Sequence, residues 1–156
     1  MRIQYTYANN DLTVIDWDAA LVVDLTGYVE DVLYVLELAN LQLEEYLVMD
    51  KKLDSYLNKA YEDVKYHNVN LLGSYPKILR TLRMFRVDVT KLNDEVTNIT
   101  KFFGDWYLAR VYLGAHERFH LGQWKSSVGE RLKQLDSLYT VVHSEITNFR
   151  MLWLEV

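Results

Sequence analysis

The chain has 156 residues, half of them apolar, enough for one domain with a sizeable core and no covalent staples. Twenty-two acidic against seventeen basic residues leave a formal charge of -5, and the basic residues are scattered, so nucleic acid is excluded as an expected partner: phosphate neutralisation needs a clustered positive face. The absence of cysteine excludes a disulfide framework, a thiolate metal site and a thiol nucleophile.

The first residues, MRIQYTYANND, lack the apolar core of a signal peptide. Ile3–Tyr7 and Leu12–Trp17 are short runs rich in β-branched and aromatic residues, separated by Ala8-Asn9-Asn10-Asp11. That pattern predicts a β-hairpin with a polar loop, and Ala20–Val23 adds a candidate third strand. Residues 1–24 therefore form a small strand segment, too short to be stable alone.

Near Asp24 and Thr26, both N-cap candidates, the period changes, and Glu30 and Asp31 suit the positive end of a helix dipole. Val32, Leu36, Ala39, Leu43, Tyr46, Asp50, Leu53, Leu57, Ala60 and Val64 then recur in steps of four and three. This predicts one helix over about 27–66, roughly 60 Å long at 1.5 Å per residue. His67–Pro76 reads as a turn, with Pro76 in the first turn of the next helix.

A second seam follows: Ile78, Leu82, Phe85, Val89, Leu92, Val96, Ile99, Phe103, Trp106, Arg110 and Leu113. It predicts a helix over about 77–119, with Gly104 and Gly114 as the weak points. Leu121-Gly122-Gln123 reads as the next turn. A third helix, about 124–156, carries Val128, Leu132, Leu135, Tyr139, Val142, Ile146, Phe149, Trp153 and Val156 on one face. The expected fold is mainly α: residues 25–156 form a long antiparallel three-helix coiled-coil bundle, up-down-up, with the N-terminal β-hairpin appended. In that bundle Val156 stands level with about residue 87, leaving the start of the second helix for another subunit or for a continued helix to cover.

Two charges sit within these seams. Asp50 requires a partner, because an unpaired buried carboxylate is costly, and bundle register offers Arg150 or Lys91. Arg110 stands level with Glu30, Asp31 and Glu37, so an ion pair is expected there. Phe102, Phe103, Trp106 and Tyr107 cluster at helical spacing and read as core.

One motif bears on catalysis. His116-Glu117-Arg118-Phe119-His120 matches H-E-x-x-H, which on a helix sets two histidines one turn apart to hold zinc, with Glu117 as general base. A third ligand is required, and Glu145, close to His143, is the downstream carboxylate that suggests itself. The alternative reading is a pair of surface histidines near a helix end. No Gly-rich phosphate loop, nucleophile elbow or Ser/His/Asp arrangement is present, so no cofactor is implied.

Asp94-Glu95-Val96, Asn98, Gly104-Asp105-Trp106-Tyr107-Leu108-Ala109-Arg110-Val111-Tyr112, Arg118-Phe119, Trp124, Ser127-Val128, Arg131-Leu132, Leu135, Tyr139 and Arg150-Met151-x-x-Leu154-Glu155 resemble the family named for being required for meiotic nuclear division. In that family a paired-helix segment ends in a Leu-Glu step into a C-terminal transmembrane helix. The resemblance covers Asp94–Val156 and implies a non-enzymatic structural and interaction module that forms homo-oligomers. It also implies a membrane tether through a segment absent from this chain. Without a targeting peptide, the implied location is the cytoplasmic face of a prokaryotic inner membrane, while the chain as written, with no run near the roughly 18 apolar residues of a span, reads as soluble.

Overall fold

Thr13 and Ile15 alternate with Leu12 and Val14 along one strand, and it is Thr13 and Ile15 that turn inward. In the computed structural model, which describes residues 3–6, 9–24, 28–65, 71–101 and 104–154, this strand is the centre of a three-stranded antiparallel sheet. β1 (Ile3–Tyr5) pairs with β2 (Leu12–Ile15) through Ile3 opposite Ile15 and Tyr5 opposite Thr13. β3 (Ala20–Val23) pairs on the other side, with Leu12 opposite Val23 and Ile15 opposite Ala20. The third strand is thus part of the sheet.

The rest of the described chain is helical. α1 (Tyr28–Lys65) is unbroken, as a stretch without Gly or Pro allows, and Glu30 and Asp31 occupy its first turn. The N-cap candidate Thr26 lies outside the described residues. α2 (Leu71–Asn98) begins six residues before the expected start at Lys77, so Gly73, Ser74 and Pro76 belong to a helix and not to the turn. Leu71 and Leu72 are good helix formers, and Pro76 sacrifices one backbone hydrogen bond close to an end where few are made.

The expected helix over 77–119 is not continuous. α2 ends at Asn98, a 3₁₀ turn covers Ile99–Lys101, and α3 (Trp106–Arg118) starts afresh. Asp105, in extended conformation, caps α3: its Oδ1 accepts a hydrogen bond from the Tyr107 amide at 2.6 Å. The next turn lies at Phe119-His120, and α4 runs Leu121–Leu154, so Leu121-Gly122-Gln123 is helix. His120 has φ 55°, the left-handed conformation that closes a helix C-terminus. Its carbonyl accepts from the amides of Gln123 and Trp124, so one residue ends α3 and opens α4.

The molecule is therefore mainly helical, with four α-helices among the described residues and a small N-terminal antiparallel sheet. It divides into two units. The first, Met1–Leu47 with Leu92–Lys125, buries Ile15, Val32, Val35, Ala39, Tyr46, Val96, Tyr107, Val111, Tyr112 and Leu121. Its helices are tied by two phenols: Tyr46 donates to Asn93 Oδ1 at 2.8 Å, and Tyr112 donates to Gln42 Oε1 at 2.6 Å. Burial raises both phenol pKa values, that of Tyr112 to about 12, so each remains a donor at neutral pH.

The second unit, Val48–Lys91 with Ser126–Val156, buries Leu53, Leu57, Ala60, Leu82, Phe85, Val89, Val128, Leu132, Leu135 and Tyr139. Tyr56 meets Phe85 edge-on at 5.5 Å, and Arg86 pairs with Asp136. These residues are the seam positions read from the 3-4 spacing of α1, α2 and α4.

Candidate interaction surface

In the first unit the sheet lies on α3, and four side chains hold it there. The Thr13 and Tyr107 hydroxyls share a buried hydrogen bond of 2.9 Å. Arg118 pairs with Asp16 at the end of β2, and Trp17 meets the Phe119 ring edge-on at 6.3 Å. Tyr5 of β1 crosses α3 at Gly114, where an added Cβ would stand 2.8 Å from its Cζ. Burial raises the Tyr5 pKa, Arg110 lowers it and Glu117 raises it, so that phenol faces one charge of each sign.

Fixing α3 in this way decides which of its faces is covered. Tyr107, Val111, Tyr112, Gly114 and Ala115 turn inward. The residues that continue the seam of α2 by spacing, Trp106, Arg110 and Leu113, turn outward instead, with Trp106 62% and Leu113 52% exposed. Arg110 is therefore not a buried seam member. Its guanidinium lies over the rings of Trp106 at 4.7 Å and Tyr5 at 5.3 Å, in place of the expected ion pair with Glu30, Asp31 or Glu37. The break at Ile99–Asp105 is the physical reason, because a restarted helix need not keep the phase of the one before it. Of the expected aromatic core, Tyr107 is buried, Trp106 is not, and Phe102 and Phe103 lie outside the described residues.

The H-E-x-x-H residues end up divided. His116 is half-buried near Tyr112, 6.2 Å between ring centres, and Gly122 lies close to its Cε1. His120 has left the helix and sits 6.0 Å from the Trp17 ring. With His120 at positive φ, the two imidazoles no longer follow one another on a single helical face, the arrangement on which zinc binding by this motif depends. Glu117 is exposed, and the side chain of Glu145 lies outside the described residues. No group of three or more His, Asp or Glu residues suited to a metal ion occurs among the described residues.

In the second unit Asp50 finds a cation in Arg131, which bundle register had not offered. Arg131 of α4 places Nε 2.8 Å from Asp50 Oδ1 and its NH1 2.6 Å from Asp54 Oδ1. The Asp50 contact is a charge contact without an aligned N–H, since Oδ1 is buried and has no hydrogen bond. The Arg150 side chain lies outside the described residues. Beside Arg131 an open groove of about 380 Å³ is lined by Asp54, Asn58, Tyr61, Glu130, Arg131 and Gln134. The one guanidinium there is already engaged by two carboxylates, which leaves no free charge to bind an anion.

The sequence marked Arg110 as anomalous for the wrong reason, and it did not mark Tyr5 at all. The available signal was Gly104-Asp105, a helix breaker followed by a good N-cap residue.

No family model matches the chain, and no solved structure matches it. An uncharacterised protein of Methanocaldococcus jannaschii is similar, 22% identical over 159 residues that take in 99% of this chain and 48% of the relative. The chain thus spans about half the length of the curated relative it matches. No helix among the described residues is long and apolar enough to cross a membrane.

Proposed function

We propose that the chain is a non-enzymatic interaction module that self-associates through outward-facing helical stripes. The observation that carries this is the outer face of α3: Trp106, Arg110 and Leu113 have the spacing of a buried seam, yet they stand in solvent around a stacked guanidinium. Trp, Tyr and Arg are the residue types most enriched among side chains that dominate binding energy at protein interfaces. Such a stripe suits a second helix laid along it.

The reading includes an architecture. In the second unit α1 meets α2 at Tyr56–Phe85, α2 meets α4 at Arg86–Asp136, and α4 meets α1 at Arg131–Asp50. These contacts support an antiparallel, coiled-coil-like arrangement of the long helices, with the chain reversing at each turn. The family resemblance adds a membrane tether outside these residues, on the cytoplasmic face of a prokaryotic inner membrane.

Sedimentation velocity of the chain from micromolar to millimolar concentration tests self-association, with a mass above that of the monomer expected. A clean monomer throughout would overturn the reading. Fractionation of cells making the full-length protein tests the tether separately: it should pellet with membranes and be released by detergent, not by salt.

A further inference from the structure

Two stretches of the chain carry opposite charge. From Asp24 to Asp50 there is no Lys, Arg or His, while Asp24, Glu30, Asp31, Glu37, Glu44, Glu45 and Asp50 are acidic. From Lys77 to Lys91 the acidic side is represented by Asp88 alone, against Lys77, Arg80, Arg83, Arg86 and Lys91. A net charge of -5 conceals this segregation.

Each stretch also has a row of side chains at helical spacing facing away from its core, apolar on α1 and part basic, part apolar on α2. On α1, Tyr34, Leu38 and Leu41 follow in steps of four and three, with Tyr34 64% exposed. Glu30, Glu37 and Glu44 recur every seven residues beside them, all exposed. On α2, Arg80, Met84 and Val87 follow in the same steps with Arg83 alongside, and Val87 is 67% exposed. Among the described residues, no ion pair involves Glu30, Glu37, Glu44, Arg80 or Arg83.

We infer that the acidic stripe of α1 is the docking surface for the basic stripe of α2 of a second copy. The two stripes match in spacing, so apolar side chains can interleave as in a two-helix seam. They match in charge, with a row of glutamates flanking one and arginines flanking the other. Flanking charges of this kind set partner choice and orientation in paired helices. Like stripes, by contrast, would bring glutamate onto glutamate. The inference rests on the self-association proposed above and adds to it a second contact, separate from the outer face of α3.

Charge reversal tests it. The variants are Glu37→Lys/Glu44→Lys and Arg80→Glu/Arg83→Glu, all at exposed positions, with circular dichroism confirming that each stays helical. The wild-type chain should associate, and raising sodium chloride from about 50 to 500 mM should weaken association because exposed charges are screened. Each variant alone should lose at least about tenfold in association, and an equimolar mixture of the two should recover it. If the wild type associates while both variants associate equally well, this surface is wrong and the proposed function stands. If the wild type stays monomeric at every concentration, both fall. Vesicles of phosphatidylcholine with phosphatidylglycerol supply the remaining outcome. Loss of vesicle binding in Arg80→Glu/Arg83→Glu, with self-association intact, would assign the basic stripe to a lipid surface and overturn the pairing.

Discussion

At the residue scale, Gly114 leaves room for the ring of Tyr5 in the first unit. The Tyr5 ring can rest on α3 where it does because position 114 has no side chain: an added Cβ there would stand 2.8 Å from Cζ and closer still to Cε2 and the hydroxyl oxygen, well inside van der Waals contact. Two effects oppose each other in Gly114→Ala. Alanine gains about 1 kcal/mol of helix propensity over glycine, whereas forcing the ring aside costs typically about 1–3 kcal/mol. The crowding term should win, so Gly114→Ala is expected to lower unfolding stability by about 1 kcal/mol in urea titration. In a Tyr5→Ala background the same substitution should become neutral or stabilising by up to about 1 kcal/mol. Equal effects in the two backgrounds would show that Tyr5 does not rest on Gly114. The same contact positions the Tyr5 ring beneath Arg110, so the glycine bears indirectly on the outward face of α3.

At the scale of elements, the turn between α3 and α4 depends on a residue poorly suited to its backbone. His120 takes φ 55°, a region that costs a non-glycine residue roughly 1–2 kcal/mol. Its ring gains a contact with Trp17, at 6.0 Å, in partial compensation. His120→Gly should therefore stabilise the protein by about 0.5–1 kcal/mol, and His120→Val should destabilise it, as read from thermal unfolding. A destabilised glycine variant would mean that the Trp17 contact outweighs the strain. This turn also shows what the sequence made legible. The seams of α1 and α4 appear in the structure largely as read, from Val32 to Ala60 and from Val128 to Tyr139, with Val35 buried more deeply than the Leu36 named by the spacing and Asp50 only half-buried, because an unbroken helix converts 3-4 spacing directly into one buried face. The strand pairing near Asp11 was legible for a similar reason, period two being as diagnostic as period 3.6. Where spacing misled was Trp106 to Leu113: the pattern runs on past Ile99 as if no break existed, while the backbone restarts at the Asp105 cap and buries Tyr107, Val111 and Ala115. Periodicity fixes a face only within one continuous helix. The partner of Asp50 was missed on a finer scale. Register counted back from a turn near Leu121 selected Arg150 where the structure supplies Arg131, because that count took residues 77–119 as one straight helix, whereas α2 ends at Asn98 and α3 starts afresh at Trp106.

At the scale of the whole molecule, folding stability should depend on pH through His116. Its ring lies beside Tyr112, near Gly122 of α4, and faces the charge of Lys125; burial first, and Lys125 second, hold its pKa below the ordinary 6.5. The sign follows from proton binding. As pH falls through 6.5 the unfolded chain takes up a proton on this histidine before the folded chain does, so the unfolded state is favoured. Stability should thus be constant from about pH 8 to 7 and decline below about 6.5, then level off once the folded form also protonates. Carboxylates titrate nearer 4, which separates this window from ordinary acid unfolding. Urea midpoints between pH 7.5 and 5.5 measure the effect, and His116→Gln should flatten the curve in that interval without removing the fall at lower pH. A slope that survives in His116→Gln would place the proton elsewhere. The same series bears on the H-E-x-x-H motif. A histidine held neutral by burial is available to a metal ion, but it stands alone unless His120 returns to the helical face. Zinc at ten-fold excess should therefore leave the pH curve and the urea midpoint unchanged. A zinc-dependent rise in midpoint that disappears in both His116→Gln and His120→Gly would instead show that the turn can close around a cation.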